Sequence, residues 1–396
     1  MSEDTALSAD RTALRDVVRR FVERDVLPTV AERERNSAYP TDLLPALADM
    51  GVLGMSIPAE HGGTELDMVS FALVFEELAR GWMGLASVVG SSGSGTWLIA
   101  KYGTQEQRET YLPDLAAGRR MSGIALTEPS TGSNLKGIKM TAIRHEDHYL
   151  VNGTKTMITQ ARHADPLVVL VVTNPSATPP QRGISLVLVQ RNTPGCLITD
   201  IGKLGHKGVE LCEVSFHDAV VPATQLLGDV EGHGLYQMLS ALDRGRIYMA
   251  AASIGIAQAS LESAVRYATQ REAFGKVIAE HQAVQLKLAQ MAIHVRAARL
   301  LTHDAAQSID AGRPASEGAA MAKVFASETA IECSMDAMRV LGGYGFTLEF
   351  PVERYYRDAP LMAIGEGTNE ILQLLIAGHV IKDLGGNTGP RCGALR

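Results

Sequence analysis

The 396-residue sequence has few aromatic residues, few cysteines and no long apolar run. Its four cysteines have no metal-type spacing, which excludes a disulfide scaffold or zinc ribbon and fits reduced thiols. The longest apolar run, 167–172, is far shorter than the roughly 20 residues of a membrane helix. Residues 1–20 are polar and charged, so we expect no secretory signal, no membrane attachment and a cytoplasmic location.

The chain also lacks a strong excess of positive charge. Lys+Arg 37 against Asp+Glu 44 gives a formal net charge of −7, and the basic residues form no stripe. A nucleic-acid partner is therefore not expected. Hydrophobic residues make up 46% of the chain, so it can form two or three domains around large buried cores.

The hydrophobic pattern changes twice along the chain, which predicts an α+β protein with three domains. Residues 1–120 repeat apolar positions at helical spacing and indicate an N-terminal helical domain. Residues 121–231 contain short β-type runs between turn signals and indicate an antiparallel β-barrel or sandwich. Residues 232–396 return to long helical periods, as in a four-helix bundle, with a loose tail from about residue 385.

Two local patterns make sharper structural predictions. Asn152-Gly153 is a strong signal for a two-residue hairpin turn, so we expect one strand to end before it and another to begin after it. Residues 90–95 are rich in glycine and serine, like a flexible linker, but their flanks are apolar. This combination predicts a buried helix that lines a cavity or a close contact.

Glu366 lies between two glycines and directly before an apolar helical pattern. Gly365 and Gly367 permit a sharp turn, and Thr368 can cap the helix that follows. In an apolar pocket, loss of solvation would raise the pKa of Glu366 and suit it to removing a proton next to a carbonyl. The alternative is a solvated glutamate in a glycine-rich turn.

Four other stretches are candidates for ligand binding. The loop 125–134 can direct N–H groups and hydroxyls at a polar ring or phosphate, or it is an ordinary turn. Residues 155–160 can form a second wall of that site, or only a strand. Arg271 and Phe274 interrupt two long helices and can hold a phosphate pair and an aromatic ring, or Arg271 pairs with a carboxylate. The glycine-rich stretch 339–345 follows a helix, so the dinucleotide-binding fingerprint fails there.

Together these motifs resemble those of the acyl-CoA dehydrogenases, a family of FAD-dependent flavoenzymes. Each motif alone is weak, but six of them occur in the family's order over roughly residues 10 to 385. The order of a helical, a β and a second helical region also agrees with this family, independently of the motifs. The motifs are Thr127-Glu128-Pro129-x-x-Gly132-Ser133, Lys155-x-x-Ile158-Thr159, Leu242-Asp243-x-Gly245-Arg246, Arg271-x-x-Phe274-Gly275, Gly342-Gly343-x-Gly345 and Glu366-Gly367-Thr368.

The resemblance implies a catalytic base and two sets of binding residues. Glu366 matches the family's base, and it has no rival at Gly245, where a minority branch carries its catalytic glutamate. The implied FAD contacts are Leu126, Thr127, Ser133, Met157, Ile158, Thr159, Arg271, Phe274, Gln282, Arg339, Gly342, Gly343, Thr368 and Glu370. The implied substrate contacts are Ser133, Asp243, Arg246, Ala86, Gly90, Gly365 and Gly367.

The resemblance further implies a reaction and its partners. An acyl-CoA would become a trans-2-enoyl-CoA, with the α proton going to Glu366 and the β hydride to the flavin. An electron-transfer flavoprotein would accept the electrons. Arg271, Phe274, Gln282 and the turn at 339–343 would hold FAD between subunits, which implies a homotetramer or at least a dimer. No metal is expected.

Several positions depart from the family pattern. Gly365 replaces the usual Tyr, and Ala86 and Gly90 replace larger polar residues of medium-chain members, so we expect a roomy pocket for a long, branched or cyclic acyl group. Met157 replaces an aromatic residue beside the flavin. These changes leave open an acyl-carrier-protein-linked dehydrogenase, and an oxygen-reactive oxidase or monooxygenase-type relative. A non-enzymatic scaffold is the third alternative.

Overall fold

The computed structural model describes residues 8–385, and the first part of this region is helical. Its helices are α1 (Ala9–Phe21), α2 (Val30–Asn36), α3 (Leu44–Asp49), α4 (Met68–Gly81), α5 (Met83–Tyr102) and α6 (Gln105–Ala116). Helix α4 is buried along its whole length and α5 along most of it, because both carry small or apolar residues on nearly every side. The prediction of a buried helix over residues 90–95 is confirmed by α5.

A seven-stranded sheet forms the middle of the chain. Its strands are β1 (Met121–Ala125), β2 (Thr141–His145), β3 (His148–Thr159), β4 (Ala164–Val172), β5 (Ile184–Val189), β6 (Cys196–Asp200) and β7 (Leu211–Pro222). The order is β1-β4-β2-β3-β7-β6, and β5 pairs with β4. Most neighbours are antiparallel as predicted, but β4 pairs in parallel with β1 and β2, so the sheet is mixed.

The predicted hairpin at Asn152-Gly153 is wrong, because these two residues lie inside the continuous strand β3. The turn falls earlier, between β2 and β3, where Glu146 has a φ of +48°. Gly153 has a φ of +134° at an irregularity in the pairing of β3 with β7. Across that pairing, the Asn152 amide donates to Asp218 Oδ1 at 2.9 Å and accepts from the Asp218 N–H at 2.9 Å. The dipeptide therefore marks a bulge and not a chain reversal.

The last part of the described chain is helical again, as predicted. It contains α7 (Gly234–Ala268), a small hairpin of β8 (Glu272–Ala273) and β9 (Lys276–Val277), α8 (Gln282–Asp310), α9 (Ser316–Leu341), α10 (Val352–Ile364) and α11 (Asn369–Gly385). The two longest interfaces of α7 are with α9 and α4, where alanine and glycine allow close approach. The predicted loose tail lies beyond the described residues.

Helix α7 joins the two helical parts into one core. An ideal Cβ on Gly255 would lie 2.4 Å from the carbonyl oxygen of Glu76, so only glycine permits this approach of α7 to α4. The Arg299 guanidinium of α8 pairs with the Glu76 carboxylate at 2.7 Å and ties a third helix to the same point. Within residues 8–385, no helix is long and apolar enough to cross a membrane.

Candidate active site

Glu366 lies in the four-residue link between α10 and α11, which we call the glutamate turn (365–368). Glu366 has a φ of +55° and Gly367 a φ of +92°, so two consecutive residues adopt the left-handed conformation. That conformation costs free energy for a residue other than glycine, and such residues are concentrated at functional sites. Thr368 Oγ1 accepts from the Ile371 N–H at 3.4 Å and caps α11, as its position in the sequence predicts.

A buried lysine on α9 holds the glutamate turn in place. Lys323 has no exposed surface, and its Nζ donates to the Gly367 carbonyl and to Asn369 Oδ1, both at 2.9 Å. The Asn369 amide in turn donates to Ser327 Oγ at 3.0 Å and to Glu328 Oε1 at 2.6 Å. Burial lowers the pKa of Lys323 to about 8, and the nearby Glu366 acts in the opposite direction. Lys323 is not recognisable as a site residue from the sequence, because a lone lysine in a helical pattern normally faces solvent.

The Glu366 carboxylate lies against α7. An ideal Cβ on Gly245 would be 2.5 Å from Glu366 Oε2, so Gly245 is needed for this approach as well as leaving no rival base. Within the described chain, no side chain or N–H group hydrogen-bonds this carboxylate. Burial raises the pKa of Glu366, and the positive charges of Arg246 and Lys323 oppose the rise. The net direction is the one that a carboxylate base requires.

Arg246 and Asp243 lie on α7 near this carboxylate and form an ion pair with each other. Asp243 also accepts from Ser316 Oγ at 2.7 and 2.8 Å, which fixes it at the start of α9. The Nε of Arg246 is buried and has no partner in the described part of the chain. A buried donor without a partner is costly, so this atom is a candidate ligand contact.

The pocket floor is closed where the sequence predicts an opening. The ring of Tyr248, on α7, fills the space over Gly90, where an ideal Cβ would lie 2.6 Å from the ring. Ala86 is fully buried in the same core, and the Met249 methyl group lies 3.1 Å from an ideal Cβ on Gly365. The expected roomy pocket is therefore wrong at this floor, because aromatic and methionine side chains from α7 replace the missing volume.

A narrow cleft remains between α4, α5 and α7. Its enclosed part has room for about one water molecule, and the rest is open to solvent. Its lining includes Gly245, which contacts Glu366, and Arg244, whose role the sequence analysis did not consider. The other lining residues are Ser56, Phe71, Gly90, Gly93, Ser94, Trp97, Ala241 and Tyr248.

The predicted cofactor loop 125–134 is fastened to β3 by a buried ion pair. Lys155 Nζ bonds Glu128 Oε1 and the Leu126 carbonyl, each at 2.9 Å. The Glu128 carboxylate also accepts from the N–H groups of Lys139 at 2.8 Å and Met140 at 3.0 Å. These bonds satisfy both charges, so the pair can be buried without a large penalty. Leu126 and Thr127 are thereby fixed beside β3, as the prediction of two walls requires.

The end of β3 contains one exposed and one buried residue among the implied FAD contacts. Met157 is 56% exposed and has a φ of +59°, so it offers an apolar surface toward solvent near Thr127. Ile158 is only 2% exposed and points into the core of the sheet. Its side chain is turned away from the surface that Met157 presents, and the contact of Ile158 with FAD stays a prediction. Neighbouring strand residues point to opposite faces. Thr159 is partly exposed, and its carbonyl accepts from Ser91 Oγ at 3.5 Å.

The remaining predicted cofactor residues lie elsewhere. The helix-end hairpin (271–277) follows α7, and its turn residue Phe274 is 97% exposed. From Gly245 to the end of α7 at Ala268 the helix rises about 35 Å, so this hairpin does not reach the glutamate turn of the same chain. The other members of this set, all exposed, are Arg271, Gln282, Arg339, Gly342 and Gly343. Ser133 and Glu370 are also exposed, on the cofactor loop and in the first turn of α11.

Comparisons with known proteins define the family. The acyl-CoA dehydrogenase N-terminal, middle and C-terminal domain models match residues 8–119, 123–219 and 232–381. The chain therefore belongs to the acyl-CoA dehydrogenase family and is an FAD-dependent oxidoreductase. It is 37% identical to an acyl-CoA dehydrogenase of Bacillus subtilis, over 95% of this chain and 99% of that protein.

Two solved structures show the same fold. The butyryl-CoA dehydrogenase of Megasphaera elsdenii superposes with a TM-score of 0.91 at 34% identity, covering 96% of this chain and all of that one. A glutaryl-CoA dehydrogenase of Mycobacterium smegmatis in complex with FADH2 gives a TM-score of 0.90 at 31% identity and covers 96% of each chain. These matches confirm the α+β fold of two helical parts around a β domain.

The residues of this chain fit FAD. The exposed apolar side chain of Met157 stands beside the fixed Thr127 loop, a combination that suits one face of a flat ring and its polar edge. The exposed Arg271 and Phe274 suit a pyrophosphate and an aromatic base.

Proposed function

We propose that this protein oxidises the Cα–Cβ bond of an acyl thioester, with Glu366 as the base that removes the α proton. When bound, FAD supplies the acceptor for the hydride that leaves the β carbon. The product is a trans-2-enoyl thioester, and an electron-transfer flavoprotein takes the two electrons onward. Coenzyme A is the proposed carrier, since the whole family match lies with acyl-CoA dehydrogenases.

The environment of the Glu366 carboxylate carries this proposal. The buried carboxylates of the described chain have hydrogen-bond donors: Glu77, for example, bonds both Arg19 and Arg80. Glu366 instead has a carboxylate with no hydrogen-bonding partner among residues 8–385, a strained backbone and a raised pKa. Such a group is poorly suited to stabilising the fold. It is well suited to accepting a proton from a weak carbon acid.

The backbone of the glutamate turn supports the same chemistry. The Glu366 N–H donates to no acceptor in the described chain. It can therefore polarise a thioester carbonyl, which acidifies the α proton that the neighbouring carboxylate removes. One residue would thus provide both the base and an oxyanion donor.

We further propose that the active form is an oligomer, either a dimer or a homotetramer. Helix α8 exposes Leu286, Ile293 and Leu300 by 72, 60 and 57%, at seven-residue spacing along one face. A stripe of this kind is typical of a helix that packs against another chain. In such an oligomer a partner's helix-end hairpin can complete the cofactor site that this chain leaves open.

An anaerobic visible spectrum of the FAD-loaded protein tests the proposed reaction. Addition of its acyl-CoA should bleach the oxidised flavin absorbance. Glu366→Gln should retain the yellow colour and bleach about 10²–10⁴-fold more slowly, the usual contribution of a general base. Glu32→Gln, which changes an exposed glutamate of α2, is the matched control and should bleach at the wild-type rate. Fast bleaching by Glu366→Gln would exclude Glu366 as the base.

A further inference from the structure

Arg244 lies in the cleft beside the proposed base without a carboxylate to pair with. Its guanidinium carbon is 5.3 Å from the centre of the Trp97 ring and 5.7 Å from that of Phe71. In the described part of the chain it forms no hydrogen bond and no ion pair. The comparably enclosed Arg80 and Arg357 each have carboxylate partners. The aromatic contacts compensate only part of the lost hydration.

The acidic group that acts on Arg244 is already engaged elsewhere. Burial lowers the pKa of Arg244 to about 10, although the charge of Asp310 opposes this. Asp310 is exposed, and its carboxylate accepts from the Met68 N–H at 2.7 Å and the Val69 N–H at 3.4 Å, at the start of α4. The guanidinium therefore remains charged at neutral pH, with its N–H groups free in the cleft.

The position of Arg244 connects it to the reacting end of a substrate. Gly245 follows it directly on α7, contacts the Glu366 carboxylate and lines the same cleft. A thioester with its α carbon at Glu366 would extend its acyl tail into this cleft, toward Gly93 and Arg244. The Tyr248 ring covers Gly90 and leaves little free space, so the cleft favours a short tail that meets the guanidinium.

We propose that Arg244 binds a carboxylate at the far end of the acyl group, so that the substrates are thioesters of short dicarboxylic acids. The planar guanidinium of arginine can donate two parallel hydrogen bonds to one carboxylate. Because this ion pair would be partly desolvated, the site would bind a neutral tail much more weakly than a carboxylate. The carboxylate is a spectator: the α proton still goes to Glu366, the β hydride to FAD, and a Cα–Cβ double bond forms. This inference rests on the proposed dehydrogenation.

A comparison of two thioesters of equal length tests the inference on the FAD-loaded enzyme. Glutaryl-CoA and pentanoyl-CoA differ by the terminal carboxylate in place of a methyl group. We expect kcat/KM for glutaryl-CoA to exceed that for pentanoyl-CoA by about 100-fold or more, the range measured for desolvated charge pairs. Equal or faster reduction of the flavin by pentanoyl-CoA would overturn the inference and leave the proposed function intact.

Variants of Arg244 assign the effect to this side chain. Arg244→Gln should lose about 100-fold in kcat/KM for glutaryl-CoA, mainly through KM, and change little with pentanoyl-CoA. Arg244→Lys should recover part of the loss, because it keeps the charge but not the fork. Arg266→Gln, at an exposed position on the same helix, is the matched control.

The remaining outcomes separate the alternatives. A preference for glutaryl-CoA that survives in Arg244→Gln would overturn the assignment to Arg244. If 3-phenylpropionyl-CoA reduces the flavin fastest, Trp97 and Arg244 stack on an aromatic tail. This result would also overturn the proposed contact between Arg244 and a carboxylate. If no thioester in the panel reduces the flavin, the proposed function itself fails, and this inference fails with it.

Discussion

The glutamate turn and the helix-end hairpin both contain consecutive residues in the left-handed conformation, but their surroundings are opposite. In the glutamate turn, Lys323 holds the backbone from one side and Gly245 receives the carboxylate on the other. In the hairpin, Phe274 and Gly275 have φ values of +52° and +78°, and Phe274 is 97% exposed. The first turn is complete within one chain. In the second, the large aromatic side chain is almost fully exposed and meets the His281 ring edge-on, with the ring centres 6.1 Å apart.

This difference indicates which parts of the site one subunit can build alone. A strained backbone persists only where its surroundings impose it, and α7 and α9 do this for Glu366. The hairpin has a conformation suited to a two-residue turn, but the edge contact with His281 covers almost none of its exposed aromatic side chain. A ligand or a second subunit is the natural partner for such a surface.

The largest effect is expected from mixing two inactive proteins. One carries Glu366→Gln with an intact hairpin, and the other carries Arg271→Gln and Phe274→Ala with an intact Glu366. If FAD is shared across a two-fold interface, joint refolding or co-expression should restore about a quarter of wild-type activity, in the sites that combine both intact parts. Each protein alone is the control. Activity that stays at the sum of the two parents would mean that each site is built within one chain.

A smaller but specific effect is expected at Lys323. Lys323→Met should lower kcat about 100-fold, because loss of its two hydrogen bonds lets the glutamate turn shift by a fraction of an ångström. It should also move the acidic limb of the kcat/KM profile to higher pH, since the lysine charge lowers the pKa of Glu366. Lys382→Met, at an exposed position on α11, is the control. A reduced kcat without the change in pH profile would reduce Lys323 to a purely structural role.

The difference between local turns and their surroundings also explains how much of the fold and of the site could be predicted from the sequence alone. The long helical periods that follow residue 232 were predictable and correspond to α7, α8 and α9, and the glycines around Glu366 marked the turn. Lys323 was not predictable, because its partners, Gly367 and Asn369, are more than 40 positions away. Gly90 was misleading for a similar reason: its missing side chain is replaced by Tyr248 from another helix. Local patterns reveal the backbone conformation, whereas side-chain contacts between distant segments decide what fills a pocket.

The smallest effect is expected in the stability of the glutamate turn itself. The folded-state pKa of Glu366 lies above its ordinary value of 4.5, so between these two values the unfolded chain binds fewer protons than the folded one. Stability must therefore fall as pH rises through this window, and Glu366→Gln, which cannot ionise, should escape the fall. The variant should melt at a higher temperature than the wild type at about pH 8 and at the same temperature at about pH 4, with both proteins loaded with FAD. Scanning calorimetry across this range measures the difference, with Glu32→Gln as the exposed control. A difference in melting temperature that does not change with pH would mean that the shapes of Glu and Gln, and not the charge, cause it. The charge of Glu366 would then be unaffected by burial, and in this respect the glutamate turn would resemble the exposed hairpin.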